Sequence, residues 1–558
     1  MTDVKLILQI ANATFSAKDP WNRLAQDICR NFYPIKADYT EELDLEDFAG
    51  DLTDGSPLLA RETLGNAIDA MLCQGDWFKA GTGDPDRDKR PANAVALQRA
   101  TVLMRGQIKN RRSGWMAAKK DGDMDWVSVG NPVMAVDESA DRSHLVFHSF
   151  HPRDCAWTLD ENGQHAEMFF RRDRKSARHI VERCAKGRWS GTPSQEIADA
   201  ARDNPTKMFD MMHCMVPIDM CYGRAEASSK RYIHKYMSLW IDPSNERLMH
   251  ESAKPNFAYI VARQRRIAGK PWGFSSYALN SLADARMLQD MALVLLEQGQ
   301  KAVDPPTIGD SQVFTRDMNF MAGGHTEVDL GEARRLQDVF ATIDTGQRIN
   351  VGVEMKQDVR NLLAEAWLLN KLMLPTLRDM REVEVMVRTE EFRRAALPFF
   401  APIEEQYHKP LLSMAFDTMA TMGMFPAGMF PQELRGNEVD FSFESPLNEA
   451  EGRKVVEKFF SDLQVLAAGA QVDQTVSQIY DVRQAAEDAI LATGKPEWLK
   501  SEEERKQGKA DAEAVQQLRL GAQVAREGAG VVSDVANASM TAQQAGMTSG
   551  APAPMPAV

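Results

Sequence analysis

Positive charge is scarce in this 558-residue chain: 66 Lys and Arg stand against 80 Asp and Glu, a formal net charge of -14. A protein that wraps nucleic acid tightly neutralises phosphates with an excess of cations, so that class is disfavoured. A wall past which DNA slides is compatible with the deficit. Cysteine is also sparse. Cys29, Cys73, Cys155, Cys184, Cys214 and Cys221 contain no Cys-x-x-Cys pair, and none follows position 221. Reduced thiols in a cytosolic setting are the expectation. No apolar run reaches about 18 residues, so no membrane span is expected. The first residues lack a basic-then-apolar leader pattern, which leaves a soluble product of the cytoplasm as the expectation.

Catalytic signatures are missing as well. The two Gly-Lys pairs, Gly269-Lys270-Pro271 and Gly494-Lys495-Pro496, lack the hydroxyl residue that a phosphate-cradling loop presents to magnesium. There is no Gly-x-Ser-x-Gly, and His213-Cys214 lies in an apolar strand pattern. No catalytic residue, cofactor or metal is therefore expected. His144, His148 and His151 alternate along a strand, which sends His151 to the opposite face from the other two. Asp121-x-Asp123-x-Asp125 begins like a calcium loop but has Trp126 where glycine is required and Pro132 where the closing glutamate belongs, so it reads as a solvated turn. Arg171-Arg172-Asp173-Arg174-Lys175 could meet DNA, although a solvated face or a salt-bridge row fits an acidic chain better.

What is present is ordinary globular material, 44% hydrophobic and 26% charged, and long enough for several units. Residues 1–35 read as an amphipathic helix. Asp54-Gly55-Ser56-Pro57 opens a second one running to about Gln74, and 92–118 a third, with Arg111, Arg112, Lys119 and Lys120 at its end. The period then drops to two. Trp126–Val136 reads as a strand pair around Gly-Asn-Pro, followed by strands at Leu145–Phe150, Ala156–Leu159, Ala166–Arg171, Met211–Tyr222, Tyr232–Ile241 and Phe257–Arg263, with a helix at Ala177–Cys184.

The most informative stretch is Arg265–Pro306. Its Gly269-Lys270-Pro271-Trp272-Gly273 turn leads to a capping Ser275 or Ser276. A stripe follows at Ala278, Leu282, Ala285, Leu288, Ala292 and Leu295, widened by Leu279 and Met291. Pro305-Pro306 stops the helix. Another helix spans about Val353 to Leu372, with Val359, Leu362, Leu363, Ala366, Leu369 and Leu372 apolar. Residues 377–424 are helical with interruptions at Pro398, Pro402 and Pro410. Helix continues through 446–500 and beyond 501, and the chain after about 528 has the composition of a disordered tail.

A basic run, a Gly-x-Pro-Trp-Gly-x-Ser turn, an Ala-Leu-x-Ser-Leu-x-Asp helix and a terminal Pro-Pro resemble the portal (head-to-tail connector) proteins of short-tailed bacteriophages. So do Glu384-Val385-x-x-Arg388-x-x-Glu391, the Gly130-Asn131, His151-Pro152 and Asp160-x-x-Gly163 segments, and Met422-Gly423-x-Phe425-Pro426, in the same order. The resemblance covers roughly 20–505. It implies an α+β portal-type fold: a wing (1–264), a first stem helix (265–303), a clip (304–349), a second stem helix (350–373) and a tunnel loop (374–382). A broken helix returning to the wing (383–445), a helical crown (446–500) and a C-terminal helix with a low-complexity tail (501–558) complete it. Gly273, Ser275, Asp284, Glu384, Arg388 and Glu391 would be the structural motif residues. Leu374, Pro375, Thr376, Arg378, Asp379 and Arg381 would face the channel.

The implied function is non-enzymatic: a ring of about twelve subunits at a capsid vertex of the virion, through which double-stranded DNA is packaged and ejected. The implied partners are the terminase large subunit, a tail adaptor protein, and the major capsid and scaffolding proteins. A ring-forming tail adaptor or scaffold protein, or a DNA-processing enzyme, are the competing readings.

Overall fold

In the computed structural model the described residues are 3–41, 52–73, 75–88, 90–221, 234–303, 307–309, 340–342, 349–372, 398–434, 439–443, 458–466 and 485–486. The chain divides into two compact units, one of 1–88 with 96–449, the other of 89–95 with 450–558. In the second unit, 458–466 is helical and leaves Phe460 and Val465 exposed. The elements below belong to the first unit, apart from the opening residues of α4.

Helix α1 (Val4–Phe32) is capped by the Asp3 carboxylate, which accepts from the Leu6 amide. Its inward face, Ile7, Ala11, Phe15, Lys18, Trp21, Ala25, Ile28 and Phe32, keeps the three-and-four spacing of an amphipathic helix. One of these positions holds a lysine. Helix α2 (Ser56–Leu72) begins where Asp54 and Pro57 signal it. Strand β1 (Phe78–Gly81), the short α3 (Pro85–Asp88) and α4 (Pro91–Ile108) follow, then α5 (Trp115–Ser128) and strands β2 (Val133–Glu138), β3 (Leu145–Phe150), β4 (Cys155–Leu159) and β5 (Ala166–Ser176). Helices α6 (Ala177–Ala185) and α7 (Gln195–Asp203) precede β6 (Met208–Pro217), β7 (Tyr236–Asp242), β8 (Arg247–Lys254) and β9 (Ile260–Val261). The long helix is α8 (Ser276–Val303), about 42 Å by its rise. Strands β10 (Thr307–Gly309) and β11 (Phe340–Thr342), helix α9 (Ile349–Ala366), the turn-length α10 (Leu369–Leu372), α11 (Lys409–Met422) and strand β12 (Asp440–Phe443) complete the series.

Strands β4 to β8 form a five-stranded antiparallel sheet in sequence order, while β3, β2 and β9 form a three-stranded one. Strand β1 pairs with β12, and β10 with β11. One core gathers α2, α4, α5, α8, α9 and α11, and a second packs α1 with the five-stranded sheet. Helices α6 and α7 cover a small satellite core around Ile180, Trp189, Ile197 and Met249. The fold is thus mixed helix and sheet, of the α+β kind.

Several expectations change. Trp126–Val136 is not a strand pair: Trp126–Ser128 is the last turn of α5, and only β2 is strand. The helix expected over 92–118 breaks at 109–114, where Asn110 caps a 3-10 turn and Gly114 takes a positive φ of 68°. Lys119 therefore lies inside α5, buried, rather than at a helix end. Asp121, Asp123 and Asp125 lie on the same helix, not in a solvated turn. Asp125 is buried on Lys36 at 2.6 Å, and Asp123 is buried on Lys119, which also reaches Asp69 at 3.0 Å. Burial pushes the Asp123 carboxyl up to about 6 despite that lysine. Helix α7 and strand β8 were not anticipated, and of Phe257–Arg263 only Ile260–Val261 pairs as strand.

The second long helix starts at Ile349 and stops at Ala366, because Leu368 turns at φ 59° before the short α10. On α8, Ala278, Leu282, Ala285, Leu288 and Ala292 are buried as the stripe requires, but Leu279 is exposed, as is Leu362 on α9. Pro402 and Pro410 do not interrupt the helical run, which continues over 398–422. A wide π turn at Glu404–His408 precedes Pro410, which has no amide to donate back to it. The expected tunnel loop, most of the clip, and the helix and tail beyond 501 lie outside the described residues.

Candidate functional site

The Gly-Lys-Pro-Trp-Gly stretch is a hairpin tip whose two sides differ. Arg265 and Phe274 exchange backbone hydrogen bonds of 3.2 and 3.1 Å, and Gly269 turns the tip at φ 75°. The tip itself, 265–270, is exposed, whereas Trp272 and Ser275 are buried. Gly273 has its amide donating to Asn131 Oδ1 at 2.9 Å and its carbonyl accepting from Asn131 Nδ2 at 2.6 Å. The same carbonyl accepts from the Trp21 indole at 2.8 Å, and the Pro271 carbonyl from the Trp157 indole at 2.9 Å. A Cβ at Gly273 would sit 2.8 Å from that of Arg263, which explains the glycine.

Ser275 is the cap of α8: its hydroxyl donates to the Val127 carbonyl and accepts from the Ala278 amide at 3.3 Å. Gly130, at φ 77°, brings its Cα so close to the Phe274 backbone that a Cβ would lie 2.3 Å from the Phe274 carbonyl carbon. The Gly130-Asn131 segment and the Gly273-x-Ser275 segment, read separately in the sequence, are therefore two halves of one joint. Asp284 is elsewhere, half-buried on α8 about 13 Å along the axis from Ser275.

Beneath the joint lies Lys18, which the sequence reading passed over. Its ammonium donates to the carbonyls of Pro152 and of Cys155, the latter at 2.6 Å. The rings of Trp21, Trp157 and Trp272 have their centroids 4.7, 5.5 and 5.7 Å from it. Burial pushes the amine down to about 7, against the pull of Cys155 and Asp154. The signal was available: a lysine on the apolar stripe of an amphipathic helix has to be satisfied from inside. His151-Pro152 thus joins the same cluster through its backbone.

Past the joint, α8 packs on α9, with Trp367 donating to Ser281 at 2.9 Å and Gly352 set against Leu295. Asp54 ties the pair to α2. Its carboxylate meets Lys356 at 2.9 Å and Arg360 at 2.7 Å and accepts from the Ser56 amide, while Gln289 bonds the Thr53 and Asp54 amides. Burial works against that carboxylate, but the Ser56 bonds and the two cations hold it well below the usual range. Both helices also carry exposed aliphatic side chains among their exposed polar ones: Leu293, Val294, Leu296 and Val303 on α8 and Val351, Val353 and Met355 on α9.

Other candidates resolve differently. His144, His148 and His151 each meet a separate carboxylate, Asp141, Asp137 and Asp38. Among the described residues no group of three or more His, Cys, Asp or Glu could hold a metal ion, and no helix is long and apolar enough to cross a membrane. Leu374, Pro375, Thr376, Arg378, Asp379 and Arg381, with Glu384, Arg388 and Glu391, lie outside the described residues.

Compared with known protein families, residues 4–499 match the one described as bacteriophage head to tail connecting protein. No curated protein matches the chain.

Proposed function

The chain belongs to the bacteriophage head to tail connecting proteins, a structural rather than a catalytic family of the phage particle, and from that premise we propose that it closes into a ring of about twelve copies around a DNA channel. In this reading α8 and α9 are the stem, and the protein sits at one capsid vertex. Double-stranded DNA passes through during packaging and ejection. The terminase large subunit docks on the 304–349 clip and is later replaced by a tail adaptor, with major capsid and scaffolding proteins as neighbours. The 374–382 segment, with Arg378, Asp379 and Arg381, supplies the channel-facing loop.

The observation that carries the reading is the set of exposed aliphatic side chains on the adjacent helices α8 and α9. Seven exposed aliphatic side chains on two adjacent helices are a poor surface for a monomer in water and a suitable one for a copy of itself. The charge balance agrees. DNA carries one charge per roughly 1.7 Å, so a strongly basic lumen would hold it, whereas an acidic wall with a few cations lets it move.

A double substitution, Val294→Asp with Leu296→Asp, tests this by light-scattering mass. The ring is expected to fall to monomers or small oligomers while circular dichroism stays unchanged. An unaltered large assembly would remove the stem helices from the interface.

A further inference from the structure

The run Arg171-Arg172-Asp173-Arg174-Lys175 lies on β5, where the pleat sends 171, 173 and 175 to one face and 172 and 174 to the other. Register then builds a row across the sheet on the first face: Arg171 opposite His213, His213 opposite Trp240, and Trp240 opposite His250. The half-buried Trp240 indole is the centre of this row. Lys175 Nζ lies 4.9 Å from its centroid, the Arg171 guanidinium 5.5 Å, and the guanidinium of Arg183, from α6, 6.0 Å.

Negative charge does not match this. Asp173 serves both Arg171, at 3.2 Å, and Lys175, at 2.9 Å. Asp137, the other carboxylate that acts on Arg183, lies 3.9 Å from His148. Among the described residues Arg183 has no ion-pair partner; its guanidinium rests on Trp189 and Trp240. His250 keeps a buried Nδ1 without a hydrogen-bond partner, and burial followed by Lys254 and Arg183 lowers its imidazole despite Glu251. Both nitrogens of His213 are engaged, by Tyr259 and by Ser238 at 2.8 Å, so it adds no free donor. Burial lowers Lys175 despite Asp173, and burial with Arg188 lowers Arg183, whereas Arg171 is raised against burial by Tyr259 and Asp173.

We propose that this face binds a compact oxyanion, a phosphate group held by Arg171, Lys175 and Arg183 beside Trp240. Three cations sharing one close carboxylate would gain from an anion with several acceptor oxygens, and guanidinium forks match phosphate geometry. A single carboxylate satisfies fewer of these donors, which favours phosphate over an acidic side chain.

The test is calorimetric titration and thermal unfolding of the full-length protein with sodium phosphate, against sodium chloride at matched ionic strength. Phosphate is expected to bind saturably and raise the unfolding midpoint. Arg183→Gln should weaken binding about tenfold or more, measured against its own midpoint in chloride because the change also removes the stacking on Trp189 and Trp240. Lys175→Gln is the second variant, in case the first disturbs α6. A short DNA duplex that competes with phosphate identifies nucleic acid as the source. If it fails to compete, small phosphates are the source. Equal response to phosphate and chloride, phosphate binding unchanged in both variants, or binding of a glutamate-rich peptide but not of phosphate would overturn the proposal.

Discussion

Lys18 shows how far a single residue departs from its element's pattern. A buried amine pushed to about 7 from an ordinary value of 10.5 binds its proton less readily in the fold than in the unfolded chain. Between those two values the unfolded state carries more protons, so stability rises with pH across that window. Below about 7 both states are charged and the fold bears the full burial penalty, on the order of a few kcal/mol. The thermal midpoint, followed from pH 6.5 to 10, should climb in the wild type and climb less in Lys18→Met. Parallel curves would show that the amine is as comfortable inside as in water.

Asn131 makes a second prediction at this scale. Replacing it with Ala leaves the buried Gly273 amide without its acceptor and should cost about 1–3 kcal/mol, seen as a lower unfolding midpoint. Gly130→Ala should cost more than that. It adds a positive-φ penalty of about 1 kcal/mol or more to a direct overlap with the Phe274 backbone.

At the level of elements, α8 is anchored at two places. Its first turn is fixed by Ser275 and the Asn131 joint, and its middle by Gln289 and Asp54. Asp54→Asn should loosen α2 from the α8–α9 pair, since Lys356 and Arg360 would lose their shared carboxylate. Because that carboxyl is held well below its ordinary value, its contribution is fully present above about pH 4 and is lost as pH falls further. Acid unfolding of the wild type should therefore be steeper than that of the Asn variant.

Much at this scale was legible. The period of α1 and α8, the Asp-Gly-Ser-Pro start of α2 and the meander strands follow from spacing and turn chemistry. What escaped depended on partners distant in sequence. Asp125 read as part of a hydrated turn because its cation, Lys36, is 89 residues away, whereas Lys119 stands at the i,i+4 position of Asp123 and could have been paired with it once the segment is taken as helix. Gly122 sits mid-helix, where Tyr407 occupies the place a Cβ would take. Pro410 seemed to end a helix that a π turn carries through it. In the joint, Gly130-Asn131 and Gly273-x-Ser275 could be recognised singly, whereas their mutual hydrogen bonds needed the fold.

For the molecule as a whole, family membership and the exposed aliphatic side chains of α8 and α9 support the proposed self-association around an axis. A formal charge of -14 per copy, multiplied around the proposed ring, would make the assembly strongly acidic. Its contacts should therefore rest on apolar burial more than on ion pairs, and the ring should survive moderate salt. The most direct measurement is negative-stain electron microscopy of the purified full-length protein, with class averages viewed down the axis. Closed rings of about twelve copies around an open centre, unchanged at raised salt, are the predicted result. Monomers or dimers at every concentration and salt, or closed particles with no central opening, would contradict the account.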